Sequence, residues 1–171
     1  MQRSQFKTET DKNARYLAAR IAVTLEQFAL KCADWIDDNE AYIDTRGSVG
    51  RLRLTLPPLA EFPTDAHWTA VDPALVARSL SISNELMLAK AAIDFAKGVA
   101  DSEDHLYVRN TFDGQAGKCG YRAWQLAIDL RQKYTLGEFS PSEFSWNSER
   151  LLKKHHDQEL DARKEETGVA S

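Results

Sequence analysis

Residues 14–35 read ARYLAARIAVTLEQFALKCADW, and this stretch decides the fold class. Its apolar residues recur at alternating steps of four and three, which places them along one side of an α-helix. The spacing predicts that Phe28 and Trp35 are buried, whereas Lys12 and Glu26, which lie off this side, are exposed. The residues of this seam are Ala14, Ala18, Ile21, Leu25, Phe28, Cys32 and Trp35.

A second apolar stripe lies on another face of the same helix, where Tyr16, Val23 and Leu30 recur every seven residues. A helix with two apolar faces must be covered from two directions. The helix is therefore either the central helix of a bundle or part of an interface. We interpret the stripe as an interaction surface that forms a homodimer, the commonest symmetric assembly.

The whole chain is predicted to be all-α, a bundle of about four main helices. Asp72 before Pro73 is a strong helix start, and Ser140, Pro141 and Glu143 form a second one. The predicted helices span about 10–37, 73–100 with an interruption at 81–83, and 121–136, and a fourth begins at 140.

An extended, proline-containing connector is predicted between the first two helices, because glycines and prolines exclude a long helix over 47–68. Arg51–Leu56 alternates leucine with polar residues, as a strand does. It forms either a minor two-stranded ribbon with His105–Arg109 or an arm that packs its leucines on the bundle. The connector also holds a stiff apolar segment of the kind that partners bind, Leu56, Pro57, Pro58 and Leu59.

The length of 171 residues suits one domain. We expect a single helical domain over 1–152. Beyond Leu152 few apolar residues remain, so 153–171 is predicted to be a solvated helix end and flexible tail.

The composition argues against several classes of protein. The net charge of −4 argues against a protein that coats nucleic acid. No apolar run is long enough for a membrane span or a signal peptide, so we expect a cytoplasmic protein. Cys32 and Cys119 are too few for a disulfide framework. No cofactor and no metal site is predicted.

Residues 76–87 resemble a helix-turn-helix core, with Ser81 at the turn. The resemblance implies a DNA-binding protein that uses residues 73–97. The sequence departs from the pattern because the turn residue is usually glycine. Its second helix also carries Glu85, Lys90, Asp94 and Lys97, which are neutral in sum and poorly suited to phosphates.

The spacing of Arg150 and His155 is similar to that of the HEPN nucleases, helical bundles that cut RNA as dimers. The resemblance implies a metal-independent ribonuclease in which His155 is the acid or base and Arg150 binds phosphate. The alternative is a solvated, charged helix face without a catalytic role.

Three further patterns resemble a binding or reactive site only in part. Residues 114–120 resemble a phosphate loop, but Phe112 and Cys119 depart from it, so we interpret them as a flexible helix entry. The Cys119 thiol near a helix N-terminus is either reactive, through a lowered pKa, or a thiol without function. Asp34, Asp37 and Asp38 resemble one half of a helical pyrophosphatase site. His155, His156 and Glu159 have the spacing of a surface metal site. We interpret both sets as solvated faces.

The sequence therefore favours a non-catalytic helical interaction or accessory protein. Its partner is another copy of itself or a different protein, and not nucleic acid. The ribonuclease and the DNA-binding protein remain as alternatives.

Overall fold

The computed structural model describes residues 2–64, 67–100, 105–139, 147–166 and 168, except the side chains of 2–7 and 166. Over these residues the chain forms four α-helices and contains no strand, so the predicted all-α bundle is confirmed. No helix in this part of the chain is long and apolar enough to cross a membrane. The helices are α1 (Gln2–Asp44), α2 (Pro73–Val99), α3 (His105–Tyr134) and α4 (Ser148–Glu166), with a short 3-10 helix at Trp68–Ala70.

The heptad seam of α1 packs into the core as predicted. All its members from Ala14 to Cys32 are buried, and Trp35 is half-buried. The predicted exposure of Glu26 is wrong, because its carboxylate is buried and forms a two-pronged ion pair with Arg131 of α3. The second buried side of α1 consists of Leu17, Ala22, Ala29, Ala33 and Ile36.

α1 continues beyond Asp37 to Asp44, and the side chain of Asn39 is hydrogen-bonded in this last part of the helix. Asn39 bonds both the N–H and the C=O of Arg53, at 2.6 and 2.9 Å. The chain then turns at Gly47 and Gly50, both of which have positive φ angles. A Cβ at Gly50 would lie 2.4 Å from the Asp38 carbonyl oxygen, so only glycine fits there.

The connector is an extended arm and not half of a ribbon. Residues 51–54 form no strand, and His105–Arg109, the proposed partner strand, is the first part of α3. Leu56, Leu59 and Phe62 pack against the core. The arm is therefore anchored to the helices by one leucine of the alternating segment and by two apolar residues that follow it.

α2 is one continuous helix, and the turn predicted at Ser81 is absent. Asp72 caps it by accepting hydrogen bonds from the N–H groups of Ala74 and Leu75. Ser79 and Ser81 donate their hydroxyls to carbonyls of the preceding turn, which lets serines continue a helix. Without a turn the segment is not a helix-turn-helix.

The glycine-rich segment 114–120 is not a loop but the buried middle of α3. Its glycines allow α4 and α1 to approach closely. A Cβ at Gly117 would lie 2.3 Å from the Cβ of His155, and one at Gly120 would lie 2.9 Å from the Cβ of Cys32. Packing of neighbouring helices therefore outweighs the low helix propensity of glycine.

α4 packs against α3 across these glycines. It runs from Ser148 to Glu166 without a break at residue 152, and Leu152 and His155 are both buried. The predicted helix start at Ser140, Pro141 and Glu143 lies outside the described residues.

Candidate functional site

The residues predicted to mediate interactions differ widely in exposure. Tyr16 is 65% exposed and Val23 is 42% exposed, whereas Leu30 packs against the core. In the connector, Pro57 is buried, Leu56 and Leu59 pack against the core, and Pro58 is exposed. The bundle itself therefore covers most of the segment that we expected partners to bind.

Arg150 and His155 do not face the same way. Five residues along a helix correspond to about 140° around its axis. Arg150 is exposed, whereas His155 is buried, contrary to the solvated face expected for it. The two residues of the nuclease-like motif therefore differ in direction and in exposure.

His155 instead belongs to a polar cleft between α1, α3 and α4. The cleft has a volume of about 360 Å³. Most of its wall consists of charged or titratable side chains. These side chains are Glu40, Arg109, Asp113, Lys154, His155 and Glu159.

A chain of hydrogen bonds holds Asp113 at the base of the polar cleft. Asn39 donates to Asp113 Oδ1 at 2.9 Å, and Arg109 Nε donates to Oδ2 at 2.7 Å. The Asp113 side chain is only 2% exposed. Burial raises the pKa of Asp113, although the bonds from Asn39 and Arg109 and the charge of Arg109 oppose this shift.

His155 and Glu40 form a second pair in the cleft. Glu40 Oε1 lies 3.4 Å from His155 Nε2 and 3.0 Å from Lys154 Nζ. Burial lowers the pKa of His155, and the nearby carboxylates of Asp113 and Glu40 oppose that shift. Burial raises the pKa of Glu40, but the bonds from Lys154 and His155 outweigh it and hold this pKa below its ordinary value. A neutral His155 can accept a proton or donate a hydrogen bond.

Two glycines of α3 bring α4 side chains to the wall of the cleft. A Cβ at Gly114 would lie 2.8 Å from Glu159 Oε2, and Gly117 gives the same room to His155. Glu159 Oε1 accepts bonds from Gln115 Nε2 at 2.7 Å and Arg163 Nε at 3.0 Å. The small residues that resembled a phosphate loop thus shape the cleft.

The reactive thiol predicted at residue 119 is absent. Cys119 is buried in the middle of α3, far from the helix N-terminus, and burial raises its pKa to about 11. A thiol with this pKa is protonated at neutral pH and weakly nucleophilic.

The acidic cluster and the histidine pair give no metal site. No group of three His, Cys, Asp or Glu side chains among the described residues is arranged to hold a metal ion. Burial, followed by the charges of Asp37 and Asp38, raises the pKa of Asp34. His156 stacks against the Tyr121 ring at 5.0 Å.

A second candidate site is the side of α2 that faces away from α3. Five large apolar side chains on this side are between 54% and 66% exposed. The opposite side of the helix, which includes Ile82, Ala89 and Ile93, is buried against the bundle. We call the exposed side the outer α2 face, and its residues are Leu80, Met87, Leu88, Phe95 and Val99.

Sequence reasoning missed both sites. The outer α2 face could have been predicted from the sequence, because α2 carries two apolar stripes just as α1 does. The polar cleft could not have been predicted, since its residues come from three helices and share no local motif.

No protein-family model, curated protein or solved structure matches this chain.

Proposed function

We propose that this protein is a non-catalytic helical interaction protein that forms a two-fold dimer through the outer α2 face. The observation that supports this most strongly is the exposure of Leu80, Met87, Leu88, Phe95 and Val99 along one helix. Exposed apolar patches of this length on soluble proteins usually mark an interface.

The outer α2 face carries no charge along its centre. The residues between its large side chains are Ala77, Asn84, Ala91 and Gly98, whereas the charged residues of α2 lie at its edges or on other sides. Two copies can therefore meet there without burying like charges. Depletion of charge at the centre is also typical of interface cores.

The size of the face fits a small dimer interface. From Leu80 to Val99 the helix rises about 28 Å. The exposed parts of the five side chains amount to roughly 500 Å² of apolar surface, near the upper end for the largest patch on a monomer. Pairing two such faces, with the residues around them, approaches the 1,200–2,000 Å² or so that stable interfaces bury.

The order of large and small residues favours an antiparallel pair. If the two-fold axis crosses the outer α2 face at the height of residue 89, Leu80 of one copy meets Gly98 of the other, and Met87 meets Ala91. Asn84 then lies close to Phe95. Three of the five large side chains thus face a smaller one, which is how facing helices interdigitate.

The stripe of Tyr16, Val23 and Leu30 on α1 is a weaker candidate for the same role. Leu30 is packed against the core, so Tyr16 and Val23 are the two exposed members of this stripe. The outer α2 face has five exposed apolar residues.

Light scattering coupled to size-exclusion chromatography tests the proposal. We expect the wild-type chain to elute as a dimer and the Met87→Glu/Phe95→Glu variant to elute as a folded monomer, because each charge would be buried without a partner. The matched control is Tyr16→Glu/Val23→Glu, which adds two charges to the exposed stripe of α1. This control should remain dimeric.

A second variant separates a specific interface from general stickiness. Ala91→Trp adds apolar surface at the centre of the outer α2 face. It should disrupt a closely packed dimer, whereas nonspecific association would increase. A wild-type chain that stays monomeric at high concentration, or a dimer lost only in the α1 control, would refute the proposal.

A further inference from the structure

We propose that the polar cleft binds a small ligand through a carboxylate or phosphate group, and that Arg109 bonds the oxygens of that group. This inference concerns a different surface from the outer α2 face and does not depend on the dimer.

The position of Arg109 is fixed by a chain of buried contacts. Its Nε donates to Asp113, Asp113 accepts from Asn39, and Asn39 is bonded to the main chain of the connector. The Arg109 side chain is only 16% exposed. One edge of the guanidinium is thus already held in place. A ligand that binds the other edge therefore costs little further side-chain entropy.

The other edge of Arg109 is open to a ligand. Its terminal nitrogens have no hydrogen-bond partner among the described residues, although the side chain lines the cleft. A guanidinium held through Nε presents these nitrogens as a fork, which matches the two oxygens of a carboxylate or phosphate.

The charges around the polar cleft are balanced and leave no excess negative charge that would repel an anion. Each of its carboxylates has its own cation, since Glu40 pairs with Lys154, Asp113 with Arg109 and Glu159 with Arg163.

The space beside Arg109 suits a small molecule. The volume of about 360 Å³ lies within the range of ligand pockets. His155 and the side chains of Asn110 and Gln158 also line the cleft and can hydrogen-bond the remainder of the ligand.

Calorimetric titration of the full chain with inorganic phosphate, and separately with acetate, tests the inference. We expect saturable binding of at least one of them. A preference for phosphate assigns the site to a phosphate ester, and a preference for acetate assigns it to a carboxylate. The Arg109→Gln/Asp113→Asn variant keeps the net charge but removes the fork, so its affinity should fall by about tenfold or more.

The matched control is Arg78→Gln/Asp129→Asn, which makes the same two changes in an exposed Arg–Asp pair between α2 and α3. It should bind like the wild type. If the cleft variant does not fold, as judged by circular dichroism, Arg109→Lys replaces it, because a lysine keeps the charge without the fork. No binding by the wild type, or equal binding by the wild type and the cleft variants, would overturn the inference.

Discussion

At the scale of single residues, the ion pair between Glu26 and Arg131 joins α1 to α3. Glu26 Oε1 accepts from Arg131 Nε, and Oε2 accepts from Nη2 at 2.9 Å. The two side chains are 5% and 18% exposed, so neither can be fully hydrated if the other is lost. We expect Glu26→Ala to lower the free energy of unfolding by about 3 kcal/mol, the lower end for breaking a buried pair.

Asp129→Ala is the control for this prediction. It breaks the pair between Asp129 and Arg78, which also joins two helices but is 42–49% exposed. The loss should be below about 1 kcal/mol, because water solvates the remaining arginine. Urea denaturation measures both values, and similar losses in the two variants would show that burial does not set the strength of these pairs.

The burial of Phe28 in α1 could be predicted from the sequence, whereas the burial of Glu26 could not. Phe28 follows the heptad spacing, and local periodicity was enough to predict its burial. Glu26 is buried because its partner, Arg131, lies 105 residues away in the chain. A charged residue next to an apolar seam is normally solvated, and only the fold shows this exception.

At the scale of helices, the glycines of α3 set how closely α4 can pack. Gly117→Ala should destabilise the protein by about 1–3 kcal/mol, because the new methyl group overlaps the Cβ of His155 and α4 must shift. In an open helix the same change stabilises by up to about 1 kcal/mol. The expected sign is therefore opposite to that of helix propensity.

Gly98→Ala provides the comparison, since Gly98 lies in α2 with no atom within 4 Å of its added Cβ. Both glycine substitutions are made in the Met87→Glu/Phe95→Glu variant, because Gly98 lies on the outer α2 face and its substitution would otherwise also affect the proposed dimer. Gly98→Ala should leave the stability unchanged or raise it slightly in the same thermal or urea experiment. If both substitutions stabilise the protein, the close contact between α3 and α4 is not as described.

These glycines also explain why one helix boundary was mispredicted. Residues 114–120 contain three glycines, and local propensity favours a loop there. Their spacing of three, at Gly114, Gly117 and Gly120, places them along one side of a helix and is a pattern of close helix packing. Local propensity predicts a loop here, whereas the spacing of the glycines predicts a helix. The contact with α4, which cannot be read from the sequence, decides in favour of the helix.

At the scale of the whole molecule, four helices and their connector could be anticipated, but the polar cleft could not. Each cleft residue was interpreted locally, so His155 became part of a motif with its sequence neighbour Arg150. In the folded chain its partners are Glu40, Asp113 and Gly117, which belong to α1 and α3. These residues form one site only because α1, α3 and α4 meet there in the folded chain.

The buried His155 should make the stability of the whole molecule depend on pH. Burial lowers the folded-state pKa of His155 below 6.5, the value expected when it is exposed in the unfolded chain. Between these two values the unfolded state binds a proton that the folded state does not. The free energy of unfolding must therefore fall as the pH falls from neutral through this window.

His155→Gln tests this origin, because glutamine is polar but does not titrate. Between about pH 7.5 and 5.5, the variant should lose less stability than the wild type, whatever its absolute stability. Asp113 has the opposite effect on the pH dependence of stability. Its pKa is raised in the folded state, so its protonation stabilises the folded state as the pH falls towards 3.8. Both proteins contain Asp113. The difference between the two denaturation series thus reports His155. Parallel slopes for His155→Gln and the wild type would contradict the assignment.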